Sequence, residues 1–411
     1  MSVTTDRIPE KTPEAPGEPA SATRGRGWAG DVLITVLSIV LALVVGAVLI
    51  AVADPRVQET ASYFFARPLD LLQAAGTSVA NAYAALFKGA IFDYGAESTT
   101  AALRPITESL VFASPLIVAG LAVGLAFRAG LFNIGAEGQI ILGAIGAAYV
   151  GFAWHLPVVL HMVLALIAAM VLGGLWAGIA GFLKAKTGAH EVITTIMLNY
   201  IARFLLAFLL STTAFQRPGR NDPISPQVDK TAMLPQLLGP WSRLHLGLFV
   251  AIAAAFGVWW LLNRSTLGFK LRAVGANPFA SRTAGINVGW STFAAMAIAG
   301  SLAGLAGAFQ IIGTEKALTG GVSAGIGFDA ITVALLGRGN PFGIVLAGFL
   351  FGALKAGGVT MQARTGTPID LVFVVQSLIV LFIAAPPLVR AIFRIKAQGA
   401  GSMQVSKGWN A

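Results

Sequence analysis

Long apolar runs separated by short polar breaks set the pattern of this chain. Runs near or above about 18 apolar residues read as membrane-spanning helices. They fall at 32–53, 103–127, 131–152, 157–183, 192–215, 244–263, 290–312, 342–356 and 371–389. A shorter, glycine-flanked run at 326–336 is counted with them, because omitting it would move Arg390, Arg394 and Lys396 to the side opposite the other basic loops. The pattern predicts an all-α integral membrane protein of about ten transmembrane helices. A moderately apolar stretch at 69–92, interrupted by Asn81 and Lys88, reads as an interfacial helix. Residues 1–27 lack a hydrophobic period and predict a disordered cytoplasmic tail. Residues 28–102 hold the first span and an external segment, 103–389 the core, and 390–411 a basic cytoplasmic tail. A signal peptide competes for 32–53, since Ala51-Val52-Ala53 resembles a cleavage site. The apolar run exceeds the ~7–15 residues of a signal core, which favours an uncleaved span.

Composition agrees. With 411 residues the chain could form several soluble domains, but 56% hydrophobic and 11% charged residues exclude that. In a soluble chain the net charge of +10 would suggest nucleic acid. Here the bases sit in short loops and at both ends, as the positive-inside rule requires, so no nucleic-acid partner is implied. Arg24 and Arg26, just before the first span, place the N-terminus in the cytoplasm. Without cysteine there are no disulfides and no thiolate metal site. No phosphate loop or H-E-x-x-H occurs, and His155, His161, His190 and His245 lack companions at metal-ligand spacing. Neither enzyme, cofactor nor metal is expected. The chain has no evident means of hydrolysing ATP, so a pump built on it needs energy through a contact with another subunit.

Polar groups inside apolar runs are costly and call for a reason. Asn133, Glu137 and Gln139 interrupt the start of the third run together with Gly135 and Gly138. In the fifth run Glu191, Thr195, Asn199 and Arg203 recur every four residues, a stripe that drifts slowly around a helix. Asn133, Glu137, Gln139, Glu191, Asn199 and Arg203 are therefore candidates for the polar lining of a solute path. Both clusters also fit hydrogen bonding between helices with no solute contact. Ile134-Gly135-Ala136-Glu137 and Ile326-Gly327-Phe328-Asp329 match faintly, one in each half, as in repeat-built transporters. Small-residue pairs at four-residue spacing (Gly120/Gly124, Gly174/Gly178, Gly300/Gly304, Gly348/Gly352) predict close helix packing.

The basic loop 264–290 carries Arg264, Lys270, Arg272 and Arg282 and no acid. Asn277 suits an N-cap, Pro278 the first helical position, and Gly285 the left-handed position beyond the last turn. They bracket a helix too short to stand alone in water, with Phe279, Arg282 and Thr283 available to a partner. A solvated loop whose arginines only fix topology fits the same pattern.

The runs Gly130-Leu-Phe-Asn-Ile-Gly-Ala-Glu-Gly-Gln139, Gly188-Ala-His-Glu-Val-Ile-Thr-Thr-Ile-Met-Leu-Asn-Tyr200, Gly268-Phe-Lys-Leu-Arg-Ala-Val-Gly-Ala-Asn-Pro-Phe-Ala-Ser-Arg-Thr-Ala-Gly-Ile286 and Gly327-Phe-Asp-Ala-Ile-Thr-Val-Ala-Leu-Leu-Gly337 resemble permease subunits of bacterial ABC importers, in the branched-chain amino acid, ribose and nucleoside superfamily. Residues 103–389 carry the likeness, and the first two motifs look most like the nucleoside branch. The resemblance implies a multi-pass permease of the bacterial cytoplasmic membrane, embedded in lipid and moving a small-molecule solute by alternating access. It also implies an ABC ATPase, a second permease and an extracytoplasmic substrate-binding lipoprotein as partners. The loop matching Gly268, Arg272, Gly275, Asn277, Pro278, Phe279, Arg282 and Gly285 would supply the helix that docks on the ATPase. A permease for a simple sugar such as ribose, or an ion-coupled secondary transporter using an intramembrane acid, are the alternatives.

Overall fold

Asn or Ser side chains stand at several helix starts, where they accept from otherwise orphaned amides. Ser98, Ser265, Asn287 and Asn340 all cap in this way, to Ala101, Gly268, Trp290 and Phe342. The computed structural model describes residues 24–394. Of the expected tails at 1–27 and 390–411, residues 1–23 and 395–411 lie outside the described residues; the first helix already begins at Arg24, and the last described helix runs on to Ile392.

The chain runs through α1 (Arg24–Ala53), α2 (Pro55–Ala61), α3 (Pro68–Ala90), α4 (Thr99–Arg128), α5 (Ala136–Ala153), α6 (Val158–Thr187), α7 (Glu191–Leu210) and α8 (Gly247–Arg264). It continues through α9 (Thr266–Ala276), α10 (Pro278–Thr283) and α11 (Val288–Ala308), which ends in a π-helical turn, Phe309–Glu315. Then follow α12 (Ile326–Leu336), α13 (Pro341–Thr365), α14 (Asp370–Ala384) and α15 (Pro386–Ile392). Among the described residues the only β pairings are isolated bridges, Ile224 with Thr319 and Gln236 with His245. This is an all-α integral membrane architecture.

Eight helices among the described residues are long and apolar enough to cross a membrane: α1, α4, α5, α6, α7, α8, α11 with its π turn, and α13. A bent pair, α14 with α15, turns by 94° and makes a ninth if taken as one span. The run expected as a further span, 326–336, is α12. Its 11 residues rise only about 16 Å, half the ~30 Å hydrocarbon thickness. It is a half-span. The stretch expected at the interface is α3, and it packs on the bundle. Ala82, Ala85, Gly89 and Ala90 are buried, the Tyr83 hydroxyl donates to the Leu43 carbonyl of α1, and a Cβ on Gly89 would fall on Thr360 of α13.

α4, α5 and α11 form the buried centre, and α1, α6, α7 and α8 surround it. The four glycine pairs all receive neighbouring helices: Gly120/Gly124 meet α12 and α13, Gly348/Gly352 meet α4, Gly174/Gly178 meet α11, and Gly300/Gly304 meet α6. Small residues let backbones approach closely where water-driven packing is absent. Arg128, closing α4, donates to the Gly339 carbonyl at 3.1 Å. That contact marks one end of the bundle, shared with α9 and α10, as the basic end.

Candidate functional site

The basic end carries a small helix fixed on both sides. Ser265 caps α9 through the Gly268 amide at 2.9 Å. A Cβ on Gly268 would land on the Leu261 carbonyl, so α9 folds tightly back on α8. A Cβ on Gly275 would lie 2.6 Å from the Arg128 carbonyl oxygen, which seats the end of α9 on the α4–α5 junction. Asn277 ends α9 through its own amide and starts α10 by accepting the Ala280 amide at 3.0 Å. Beyond α10, the Ile286 amide reaches the Ser281 carbonyl and the Gly285 amide the Arg282 carbonyl. Gly285 has φ +80°, the left-handed conformation this closure needs. Ser281 is buried, whereas Pro278, Phe279, Arg282 and Thr283 are exposed, Phe279 at 76%. Lys270 and Arg272 are exposed beside them. The result is a pinned apolar tip ringed by cations.

Deeper in the bundle, the first polar cluster closes on itself. Asn133 and Gln139 exchange amide hydrogen bonds at 3.0 Å, and the Asn133 oxygen also accepts the Gly135 amide. Asn199 on α7 donates to the Ile134 carbonyl and accepts the Gly138 amide at 2.8 Å, so it stitches α7 to the unwound start of α5. Glu137 accepts the Gly327 amide at 2.8 Å. It therefore sits where the first turns of α5 and α12 meet, and both helix dipoles favour its negative charge. The two faintly matching segments thus touch. Gly327 is required there, since a Cβ would fall on the Glu137 backbone. Glu191 pairs with Lys184, and Thr195 is buried against Gly135. The structure does not bring Arg203 to this cluster: it is exposed on the outer face of α7 beside Tyr200 and Phe204.

An ion pair that the sequence pattern did not single out joins α12 to α13. Lys355 Nζ lies 2.9 Å from Asp329 Oδ2 and 3.5 Å from the Ala324 carbonyl oxygen. At the end away from Arg128, a cavity of about 280 Å³ is lined by Lys88, Asp93, Arg104, Glu108, Arg243 and Arg364, among others. The Arg364 guanidinium hydrogen bond holds the Asp93 carboxyl below its usual range. The Glu108 carboxylate correspondingly raises Arg243. Among the described residues no group of His, Cys, Asp and Glu is arranged to hold a metal ion.

Comparison with known proteins matches residues 106–384 to a family described as the permease component of branched-chain amino acid transport systems. The chain is 40% identical to the guanosine ABC transporter permease NupP of Bacillus subtilis, over 80% of this chain and 93% of that protein. It is 38% identical to the glucose ABC transporter permease TsgB13 of Haloferax volcanii, over 68% and 75%. It is 35% identical to the nucleoside ABC transporter permease NupB of Lactococcus lactis, over 76% and 88%. No solved structure matches the chain. With the family pattern running from α4 into α14, the chain belongs to the permease-component family of branched-chain amino acid transport systems.

Proposed function

We propose that this chain is a membrane permease subunit of an ATP-driven importer for nucleosides in a bacterial cytoplasmic membrane. The observation that carries the reading is the alignment of nearly the whole of a guanosine permease onto it at 40% identity. A second nucleoside permease aligns at 35%. Its partners are an ABC ATPase, a second permease and an extracytoplasmic substrate-binding lipoprotein. The basic end faces the cytoplasm together with the N-terminus, because Arg128, Lys184, Lys186, Arg264, Lys270, Arg272, Arg282 and Arg338 collect in its loops and helix ends.

In this reading α10 is the docking helix. Its exposed Phe279 fits an apolar cleft of the ATPase and its flanking cations fit an acidic rim. Gly268 and Gly275 lock α9 to α8 and to the α4–α5 junction, so a push on α10 moves those elements together. The junction leads within a few residues to Asn133 and Glu137, and through Glu137 to α12. The buried cluster of Asn133, Glu137, Gln139, Glu191 and Asn199 serves as the frame of the path, and its hydrogen bonds carry that displacement inward. Arg203, on the outer face, fits a contact with the second permease.

The glucose permease relative at 38% favours a sugar as the competing cargo. Proteoliposomes holding the complete transporter decide between them. ATP-dependent uptake of labelled guanosine, undiminished by excess glucose, is the expected result. Glucose accumulation with no nucleoside uptake overturns the cargo. Arg282→Glu should weaken ATPase association and cut uptake, and wild-type values of both would remove α10 from its docking role.

A further inference from the structure

We propose that the open face formed by Phe328, Asp329, Lys355 and the glycine loop 319–325 is a solute-binding site that takes the vicinal diol of a ribose. Lys355 stands fourteen residues after the start of α13 at Pro341 and ten before its end at Thr365. At about 1.5 Å per residue, the nearer helix end is about 15 Å away, beyond the reach of a snorkelling side chain. The pair it forms with Asp329 is not sealed inside the chain: the side chains remain 12% and 24% exposed. Charged groups at that depth cannot face lipid without heavy cost. Water or protein must cover them.

The backbone beside the pair supports the same conclusion independently. Between the π turn and α12 the chain is not helical, and Gly320 and Gly321 are exposed, with open space where a Cβ would lie. Ala324 adopts φ +45°, a left-handed conformation unusual for a residue with a Cβ, and its carbonyl points at the Lys355 ammonium. This loop descends to the start of α12, about 16 Å from the basic end of that helix. Irregular backbone at such depth persists only where protein buries it or where it lines a wet cavity. Thr319 is bridged to Ile224 and Val322 and Ser323 are buried, but the exposed backbone at Gly320, Gly321 and Ala324, next to a half-open ion pair, fits the wall of a wet cavity.

The chemistry of the wall suits a neutral polyol. Asp329 uses Oδ2 for Lys355 and keeps Oδ1 to accept from a hydroxyl, while the ammonium has a further donor. One carboxylate can accept both hydroxyls of a vicinal diol. The pair is net neutral, so an uncharged solute gains hydrogen bonds without being held by a net charge. Phe328, 48% exposed on the preceding position, offers an aromatic face on which a base can stack. Recognition of a nucleoside, rather than another polyol, rests on the cargo reading above.

The first test is accessibility. The chain has no cysteine, so Phe328→Cys is its only thiol. In the assembled transporter that thiol should react with a water-soluble methanethiosulfonate, and guanosine should slow the reaction. No reaction means that another subunit or lipid covers the face, and the site is wrong. The second test compares uptake of guanosine and of 2′,3′-dideoxyguanosine in proteoliposomes. Taking the ratio of the two for Asp329→Asn relative to wild type cancels the receptor's own preference. Guanosine uptake should fall about tenfold, the loss of one hydrogen bond to a charged group, while dideoxyguanosine uptake changes less than about twofold. Equal losses of both would make the pair a structural brace and overturn the site, as would no loss of either. If Asp329→Asn yields no folded protein, Phe328→Ala replaces it, since its ring is half exposed. That variant should lower uptake of both nucleosides at an unchanged folded yield, and unchanged uptake overturns the site. Wild-type vesicles that accumulate glucose but no nucleoside defeat the cargo reading instead, while the thiol reaction still reports on the wall.

Discussion

Gly320 and Gly327 lie seven positions apart, yet a methyl group added at each meets opposite surroundings. At Gly320 it would find open space, and at Gly327 it would strike the Glu137 backbone where α12 docks on α5. Gly320→Ala should change stability in detergent, read from the melting temperature, by no more than the ~0.5 kcal/mol typical of surface changes. Gly327→Ala should cost at least the ~1–3 kcal/mol of an overpacked core and reduce folded yield, as read by gel-filtration recovery. A second residue makes a pH-dependent prediction. His245, just ahead of α8, is 1% exposed, accepts the Gly247 amide through Nδ1, and has no partner for Nε2. Burial lowers its pKa from 6.5 to about 4. The unfolded chain then takes up the proton more readily, so stability is full above about pH 6.5 and declines as pH falls from there towards 4. Between pH 7 and 5 that amounts to about 2 kcal/mol. His245→Asn, whose side-chain oxygen can also accept the Gly247 amide, should show a thermal midpoint that falls less over this range than the wild type's. Equal slopes would show that His245 does not govern it. At this scale much of the buried chemistry was legible: Asn133, Glu137, Gln139 and Asn199 stood out because a polar side chain in an apolar run needs a partner. Arg203 did not join them because four-residue steps drift about 40° each, and three steps rotate it by about 120°. Lys355 escaped notice because its run was expected to end at 356, where a lysine looks like a boundary marker, whereas α13 continues to Thr365.

Among the elements, α10 was the most readable, because its stop and start signals are local. Asn277, Pro278 and Gly285 each act on the nearest turn and need no tertiary context. The spans were readable for a similar reason, since an apolar run must be satisfied wherever it packs. The fate of 326–336 was not readable, because a short apolar run fits a complete span only if its neighbours thin the membrane, and its depth is set by Gly327 against Glu137. How 69–92 packs was not readable on the same ground: the small residues that hold α3 to α13 look unremarkable until their partner is known. Since α10 is one and a half turns long, its caps should govern how well it presents Phe279. Asn277→Ala should cost that helix about 1 kcal/mol. Gly285→Ala should cost about 1–2 kcal/mol, entirely through backbone conformation, because an added Cβ would meet open space. If docking requires the formed helix, each variant should weaken binding of the purified ATPase to nanodisc-embedded permease about fivefold or more, with folded yield unchanged. Wild-type affinity in both would mean that the ATPase reads the cations and not the helix.

For the molecule as a whole, the two ends differ in charge character. At the end holding Arg128 and α10, exposed bases dominate and the acid Glu191 is already paired with Lys184. At the other end acids and bases alternate, and Asp93 with Arg364, Glu108 with Arg243 and Asp222 with Arg220 form ion pairs. Lys and Arg concentrated in short loops are retained on the cytoplasmic side, so the first end should be cytoplasmic. The cysteine-free chain allows a direct measurement of this. Phe279→Cys on α10 and Arg220→Cys in the loop before α8 are both at exposed positions. A membrane-impermeant maleimide should label Arg220→Cys in intact cells and Phe279→Cys only in inverted vesicles. Adding the ATPase to the inverted vesicles should protect Phe279→Cys, because the same surface cannot be both docked and open to reagent. Labelling of Phe279→Cys from outside intact cells would invert the topology and take α10 away from any cytoplasmic ATPase. Correct sidedness without protection would keep the topology and remove only the docking contact, so the two parts of the architecture are tested separately by one pair of thiols.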